Sequence, residues 1–153
     1  MTPKRLFRVL AIAEAVTWTL LISGLVLRAT TGFALAVTIG GGIHGFVFLA
    51  YAATALLVAV NQRWSVGVAA IAIGSAFVPY ATIPTELWLA RTGRLEGSWR
   101  REATDDPRDQ HWIDRTVRWF IRRPLVLAVI IAVGVVALFT VLLVLGPPGG
   151  RDA

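Results

Sequence analysis

An all-α, polytopic membrane helix bundle is predicted by three observations. Hydrophobic residues make up 56% of the 153-residue chain, against roughly 45–50% in soluble domains. The excess is gathered in four blocks, at about residues 6–27, 33–60, 65–89 and 124–145, each near or above the ~20 apolar residues a span needs. The formal charge of +6 lies beside those blocks, where basic residues set topology and attract anionic lipid. A nucleic-acid partner is not expected. The absence of cysteine excludes disulfides and thiolate metal sites, and no cofactor is expected.

The first block opens on Lys4, Arg5 and Arg8. A basic start before an apolar run resembles a signal peptide, but the run is long, contains Glu14 and lacks a small-x-small cleavage site. It is read as a retained span ending near Arg28. Trp18, Leu21, Leu25 and Arg28 follow Glu14 at helical spacing, and Thr17 is expected to bond back to the carbonyl of Ala13. Residues 28–32 make a tight connection.

The second block carries Gly40-Gly41-Gly42-Ile43-His44-Gly45-Phe46. Gly40, Gly41 and Gly45 are expected to let another backbone approach closely, with Gly41 and Gly45 forming a small-xxx-small pair. His44 is the one histidine within an apolar run, where a polar ring is usually buried against a partner. Phe48 and Tyr51 lie on its side of the helix. After a short turn at 61–63, Trp64 suits an interfacial position.

The third block is interrupted by Pro79 and Pro84, which free the carbonyls of Ser75 and Tyr80. Such carbonyls need partners inside a membrane, and the hydroxyls of Tyr80 and Thr82 are at hand. The block ends in Glu86, Trp88 and Arg91, read as interfacial residues with Trp88 as an anchor.

Residues 91–123 form a linker with nine arginines and six acids. Its second part, 109–122, has Trp112, Ile113, Val117, Phe120 and Ile121 at helical spacing. That pattern fits an amphipathic helix lying on a membrane surface or one packed on its own protein. Pro124 opens the fourth span, where a first-turn proline is tolerated. Thr140 and Gly134 alone interrupt its aliphatic sequence, so it reads as a peripheral anchor, stopped by Gly146-Pro147-Pro148-Gly149-Gly150. With four crossings, ten basic residues (Arg28 and the linker) oppose five (Lys4, Arg5, Arg8, Arg63, Arg151). The positive-inside bias then places the linker in the cytoplasm and both termini outside, although the basic start of the first span argues the reverse.

Depths can be compared at about 1.5 Å per residue. Glu14 lies roughly 12 Å inside one edge and His44 roughly 16 Å inside the other, in a core of about 30 Å. Tyr80 and Thr82 fall at a similar level, so one polar layer is expected to hold Glu14, His44, Tyr80 and Thr82. Its expected role is a Glu–His hydrogen bond that fixes helix register. Proton transfer by the pair is the alternative. A bis-histidine haem would require a second buried histidine from a homodimer.

Three segments, Arg8 to Trp18, Gly42 to Tyr51, and Pro79 to Thr82 with Glu86, Trp88, Arg91 and Gly93, resemble in order and spacing a small bacterial integral membrane family. It is named for a His-Gly motif and also called YdzA-like. The match covers about residues 5–97 and falls at Glu14, His44, Gly45, Pro79, Thr82 and Glu86; the Ala, Val, Arg and Gly usage resembles actinobacterial members. The resemblance implies a three-span domain of unassigned activity. Pro79-Tyr80 replaces a Pro-Pro-Phe-like turn of the family, Pro84 is an addition, and residues 98–153 lie outside the resemblance. The expectation is a three-span domain (5–97), an arginine-rich linker of cytoplasmic type (98–123) and a fourth transmembrane helix (124–145). The functional expectation is a non-enzymatic, multi-pass protein of the bacterial inner membrane. It would associate with itself or another membrane protein and touch anionic lipid through the linker. The alternative is an oligomeric proton-coupled transporter or channel-like component.

Overall fold

The computed structural model describes residues 1–145, so the Gly146–Gly150 stop and Arg151 lie outside the described residues. Among these the chain is helical, with no strand. The helices are α1 (Pro3–Thr31), α2 (Ala34–Asn61), α3 (Val66–Gly74), α4 (Thr82–Arg91), α5 (Trp112–Ile121) and α6 (Pro124–Leu145). Short 3₁₀ turns occupy Ser75–Phe77 and Pro107–Gln110. The expected all-α membrane bundle is found, with three apolar core segments and a C-terminal one. The helices long and apolar enough to cross a membrane alone are α1, α2 and α6.

Local chemistry sets the boundaries. Thr2 caps α1 by accepting from the amide of Arg5 at 3.2 Å, and Pro3 follows it; both satisfy or remove orphan first-turn donors. Gly32, at φ 76°, ends α1 and donates to the Arg28 carbonyl at 2.9 Å, a left-handed cap that favours glycine. The antiparallel α1–α2 pair then packs backbone to backbone. A Cβ on Gly24 would stand 2.7 Å from the Ala36 carbonyl oxygen, and one on Gly40 2.8 Å from that of Leu20. The close backbone contacts are therefore Gly24 against Ala36 and Gly40 against Leu20, not the expected Gly41–Gly45 pair. Gly41 meets only the Leu21 side chain at 3.7 Å, and Gly45 receives the Phe139 ring of α6 at 3.4 Å.

The third core segment is not one crossing. Val78 is extended, as a residue before proline tends to be, and Tyr80 has φ 63°; together they reverse the chain. The halves hold 12 and 10 residues, too few for a core of about 30 Å. The descending half bonds to α2 through the Tyr51 hydroxyl, which donates to the Ala72 carbonyl at 2.9 Å. The returning half runs antiparallel to α1: Tyr80 faces Thr19, Thr82 faces Ala11 and Glu86 faces Arg8. The segment is a re-entrant hairpin that leaves on the side it entered.

This geometry corrects the four-crossing charge assignment. The linker lies with the N-terminus and the 61–65 turn, not opposite them. The Trp99 indole donates to the Met1 carbonyl at 2.7 Å, and the Arg100 amide donates to the Asn61 side-chain oxygen at 2.9 Å. From there α6 runs antiparallel to α2, with Phe139 packed on Phe46 at 6.1 Å between centroids. Only 6% of the apolar window of α6 is buried, so it lies on the outer face.

Both proline-freed carbonyls are satisfied locally: Ser75 accepts from the Val78 amide at 3.3 Å and Tyr80 from the Ile83 amide at 3.1 Å. The hydroxyls of Tyr80 and Thr82 are not their partners. Pro84 sits in the first turn of α4, where no donor is lost. Trp64, expected at an interface, instead packs edge-on to Phe7 at 5.9 Å and donates to the Arg94 carbonyl at 2.8 Å.

Candidate functional site: a buried polar seam and an arginine-clamped linker

Residues 8, 11 and 14 recur at i, i+3 on α1, with Thr17 next in the series, so one stripe of that helix faces α2 and α4. At its surface end the Arg8 guanidinium pairs with Glu86 at 2.9 Å. One turn deeper Thr82 donates to the Ala11 carbonyl at 3.0 Å. Deeper again, Glu14 is fully buried, with its Oε1 3.9 Å from His44 Nδ1. Beyond this level the α1–α2 contact becomes the bare Gly24 and Gly40 surfaces.

The Glu14–His44 approach is a contact, not the direct hydrogen bond expected, because 3.9 Å exceeds bonding range. The bonding partner of Nδ1 is the Thr17 hydroxyl, 3.2 Å away, which itself donates to the Glu14 carbonyl at 2.9 Å; the Ala13 carbonyl is not its partner. A hydroxyl has one proton. With that proton committed to the carbonyl, the accounting assigns the Nδ1 proton to His44. The Trp18 ring covers the imidazole at 4.4 Å between centroids. Both Glu14 carboxyl oxygens are buried without a hydrogen-bond partner among the described residues.

Tyr80 does not join this layer. Its left-handed backbone turns the side chain outward, where it is 45% exposed and its hydroxyl lies 3.3 Å from that of Thr19. Glu86 is not an interfacial surface residue either, being 4% exposed and turned into the seam by α4. Trp88 is half-buried under the Arg94 guanidinium, 5.0 Å from its ring, and Arg91 is exposed.

The linker contains a second constellation. Asp109 is buried and accepts from the Thr104 amide at 2.7 Å and hydroxyl at 2.6 Å. It also accepts from Arg63 at 2.7 Å, Arg118 at 2.8 Å and Arg100 at 3.2 Å. The Thr104 hydroxyl and amide, then Arg118 and Arg63, hold its carboxyl far below the usual carboxylate range. Arg63 also pairs with Asp106, and Arg100 with Asp114 at 2.8 Å. Arg100 further donates to the Val60 carbonyl at 2.6 Å and the Asn61 carbonyl at 2.5 Å, filling acceptors that a helix end leaves open. This clamp decides which face of α5 is buried. Arg118 and Ile121 turn inward, while Trp112 is 68% exposed and Ile113 is also exposed. Val117 and Phe120 are half-buried, and the helix packs on its own protein through Arg118. The pairing of Asp109 with arginines up to 46 residues away had no local signature.

Residues 4–91 match the family described as "Domain of unknown function (DUF3817)". The chain belongs to that family. A relative, "Putative membrane protein SCO5905" of Streptomyces coelicolor, is 41% identical over 95 residues. The match covers 60% of this chain and 11% of that protein, so the chain spans about a tenth of the relative's length. No solved structure matches. The DUF3817 region contains the whole polar seam, while the clamp's acids lie beyond it. With its apolar helices, the protein is a multi-pass membrane protein.

Proposed function

We propose that this DUF3817 protein is a non-enzymatic membrane component that works by association with itself or another membrane protein. The polar seam serves to fix the register of the helices that carry its outer surfaces. One observation supports this most. The cavities of about 940, 620 and 490 Å³ are lined by residues other than Glu14 and His44, and the polar layer is closed by Trp18 and Thr17. Thr17, His44, Thr82 and Arg8 bond to groups on α1, α2 and α4. Static light scattering of the full chain in mild detergent, with crosslinking in vesicles, tests the reading. A discrete oligomer or a stoichiometric partner is expected; a lone monomer under every mild condition refutes it.

A second reading is favoured by the two unpartnered Glu14 oxygens, since such a group costs roughly 1–3 kcal/mol or more: the Glu14–His44 pair carries protons. Vesicles loaded with a pH dye and given a potassium-diffusion potential separate the two. The association reading expects no flux above empty vesicles. A flux abolished by Glu14→Gln selects the proton reading.

The resemblance to the His-Gly, YdzA-like proteins covers nearly the region of the DUF3817 match and supports placing the chain among them. With the hairpin, 13 of the 15 basic residues (Lys4, Arg5, Arg8, Arg63 and the nine in the linker) share one side. The bias of basic loops then supports a bacterial inner membrane orientation with that whole side, N-terminus included, in the cytoplasm.

A further inference from the structure

Beneath the linker, between α2 and α6, runs a cleft of about 620 Å³. Its walls are apolar apart from Thr54, from Phe46 to Leu57 on α2 and from Pro124 to Val135 on α6. Eleven residue steps make it roughly 16 Å long, about one leaflet deep. A slot of that length and volume admits a flexible hydrocarbon chain.

The roof of the cleft is Trp99 and Arg101. Arg122 donates to the Arg101 carbonyl at 2.5 Å, bringing the two residues together. The Arg101 guanidinium makes no ion pair or hydrogen bond among the described residues, and Arg123 lies over the Trp119 ring at 4.3 Å. Asp106, Asp109 and Asp114 are already taken by Arg63, Arg100 and Arg118. Glu102 is exposed beside Arg101. A neighbouring cavity of about 490 Å³ is lined by four arginines and Trp119, without a carboxylate. Because α6 enters its apolar stretch directly after Arg122 and Arg123, these cations stand at headgroup level.

We propose that this cleft binds an anionic glycerophospholipid of the surrounding bilayer. One acyl chain lies between α2 and α6, and the phosphate is held by Arg101 and Arg122. Charge complementarity selects the occupant, since a zwitterionic lipid brings an ammonium cation to the roof arginines along with its phosphate, and an anionic lipid does not. The site does not depend on the association reading, because a monomer contains all of it.

Native mass spectrometry of the full chain tests the proposal, with equal additions of phosphatidylglycerol or phosphatidylcholine of identical chains. One retained phosphatidylglycerol per chain is expected, favoured over phosphatidylcholine. Arg101→Gln with Arg122→Gln is expected to reduce that preference by roughly tenfold, with the helical circular dichroism unchanged. Ala128→Trp, which fills the slot, is expected to release both lipids. Equal retention of the two lipids overturns the proposal. So does a charge variant that retains the preference, or a cleft filled only by dimerisation. Oligomeric mass is read in the same spectra, so failure here is distinguishable from failure of the association reading.

Discussion

At the scale of single residues, neighbouring glycines of α2 have opposite roles. A methyl at Gly40 meets a carbonyl oxygen 2.8 Å away, whereas one at Gly41 meets a flexible leucine tip at 3.7 Å. Gly40→Ala is expected to destabilise the α1–α2 pair by about 1–3 kcal/mol. Gly41→Ala is expected to be neutral or to stabilise by up to about 1 kcal/mol through helix propensity. Reversible unfolding in mixed micelles measures both, and equal effects refute the assignment. The glycine-rich segment was legible in the sequence as a packing surface. Which of its glycines 40, 41 and 45 makes the contact was not, because that depends on the rotation of α2 against α1. A second residue-scale test concerns Arg8, whose side chain is 48% exposed while that of Glu86 is 6% exposed. Arg8→Gln leaves a mostly buried carboxylate uncompensated. After allowance for solvent at Arg8, a loss of about 1–2 kcal/mol is expected. Adding Glu86→Gln should recover most of it in a double-mutant cycle.

At the scale of elements, the linker is a docked strap with a defined acid sensitivity. The folded-state pKa of Asp109 is depressed, so its stabilisation is complete above the unfolded carboxylate value of about 3.9 and is lost as pH falls through the folded value. Linker amides should therefore stay protected from hydrogen exchange from neutral pH to about pH 4 and lose protection only at stronger acidity. Asp109→Asn should lose protection throughout, and wild-type undocking near pH 6 would contradict the clamp. The existence of the long helices was legible because apolar length alone specifies a span. The face of α5 was not, because its aromatic stripe obeys helical period while the burial of Arg118 follows from one distant carboxylate. Likewise, Pro79 marked a break, but only the extended Val78 and left-handed Tyr80 turn that break into a reversal.

At the scale of the whole molecule, the hairpin fixes which flanks share a compartment. With no native cysteine, single substitutions report it directly. Thr2→Cys and Glu102→Cys are expected to react alike with an impermeant maleimide, both protected in intact cells, and Thr31→Cys oppositely. Opposite behaviour of positions 2 and 102 would restore a third crossing and sink the hairpin. The sequence carried the charge count but not its meaning, since the sum changes sides when one apolar segment turns back. The hairpin also bears on biogenesis. A segment that enters and leaves from one face can be inserted without moving either polar flank across the bilayer. With the linker side in the cytoplasm, as proposed, the nine linker arginines need never be exported, and the first helical pair carries across only the short turn with Arg28. The insertion machinery then has a far smaller charge to translocate than four alternating crossings would demand.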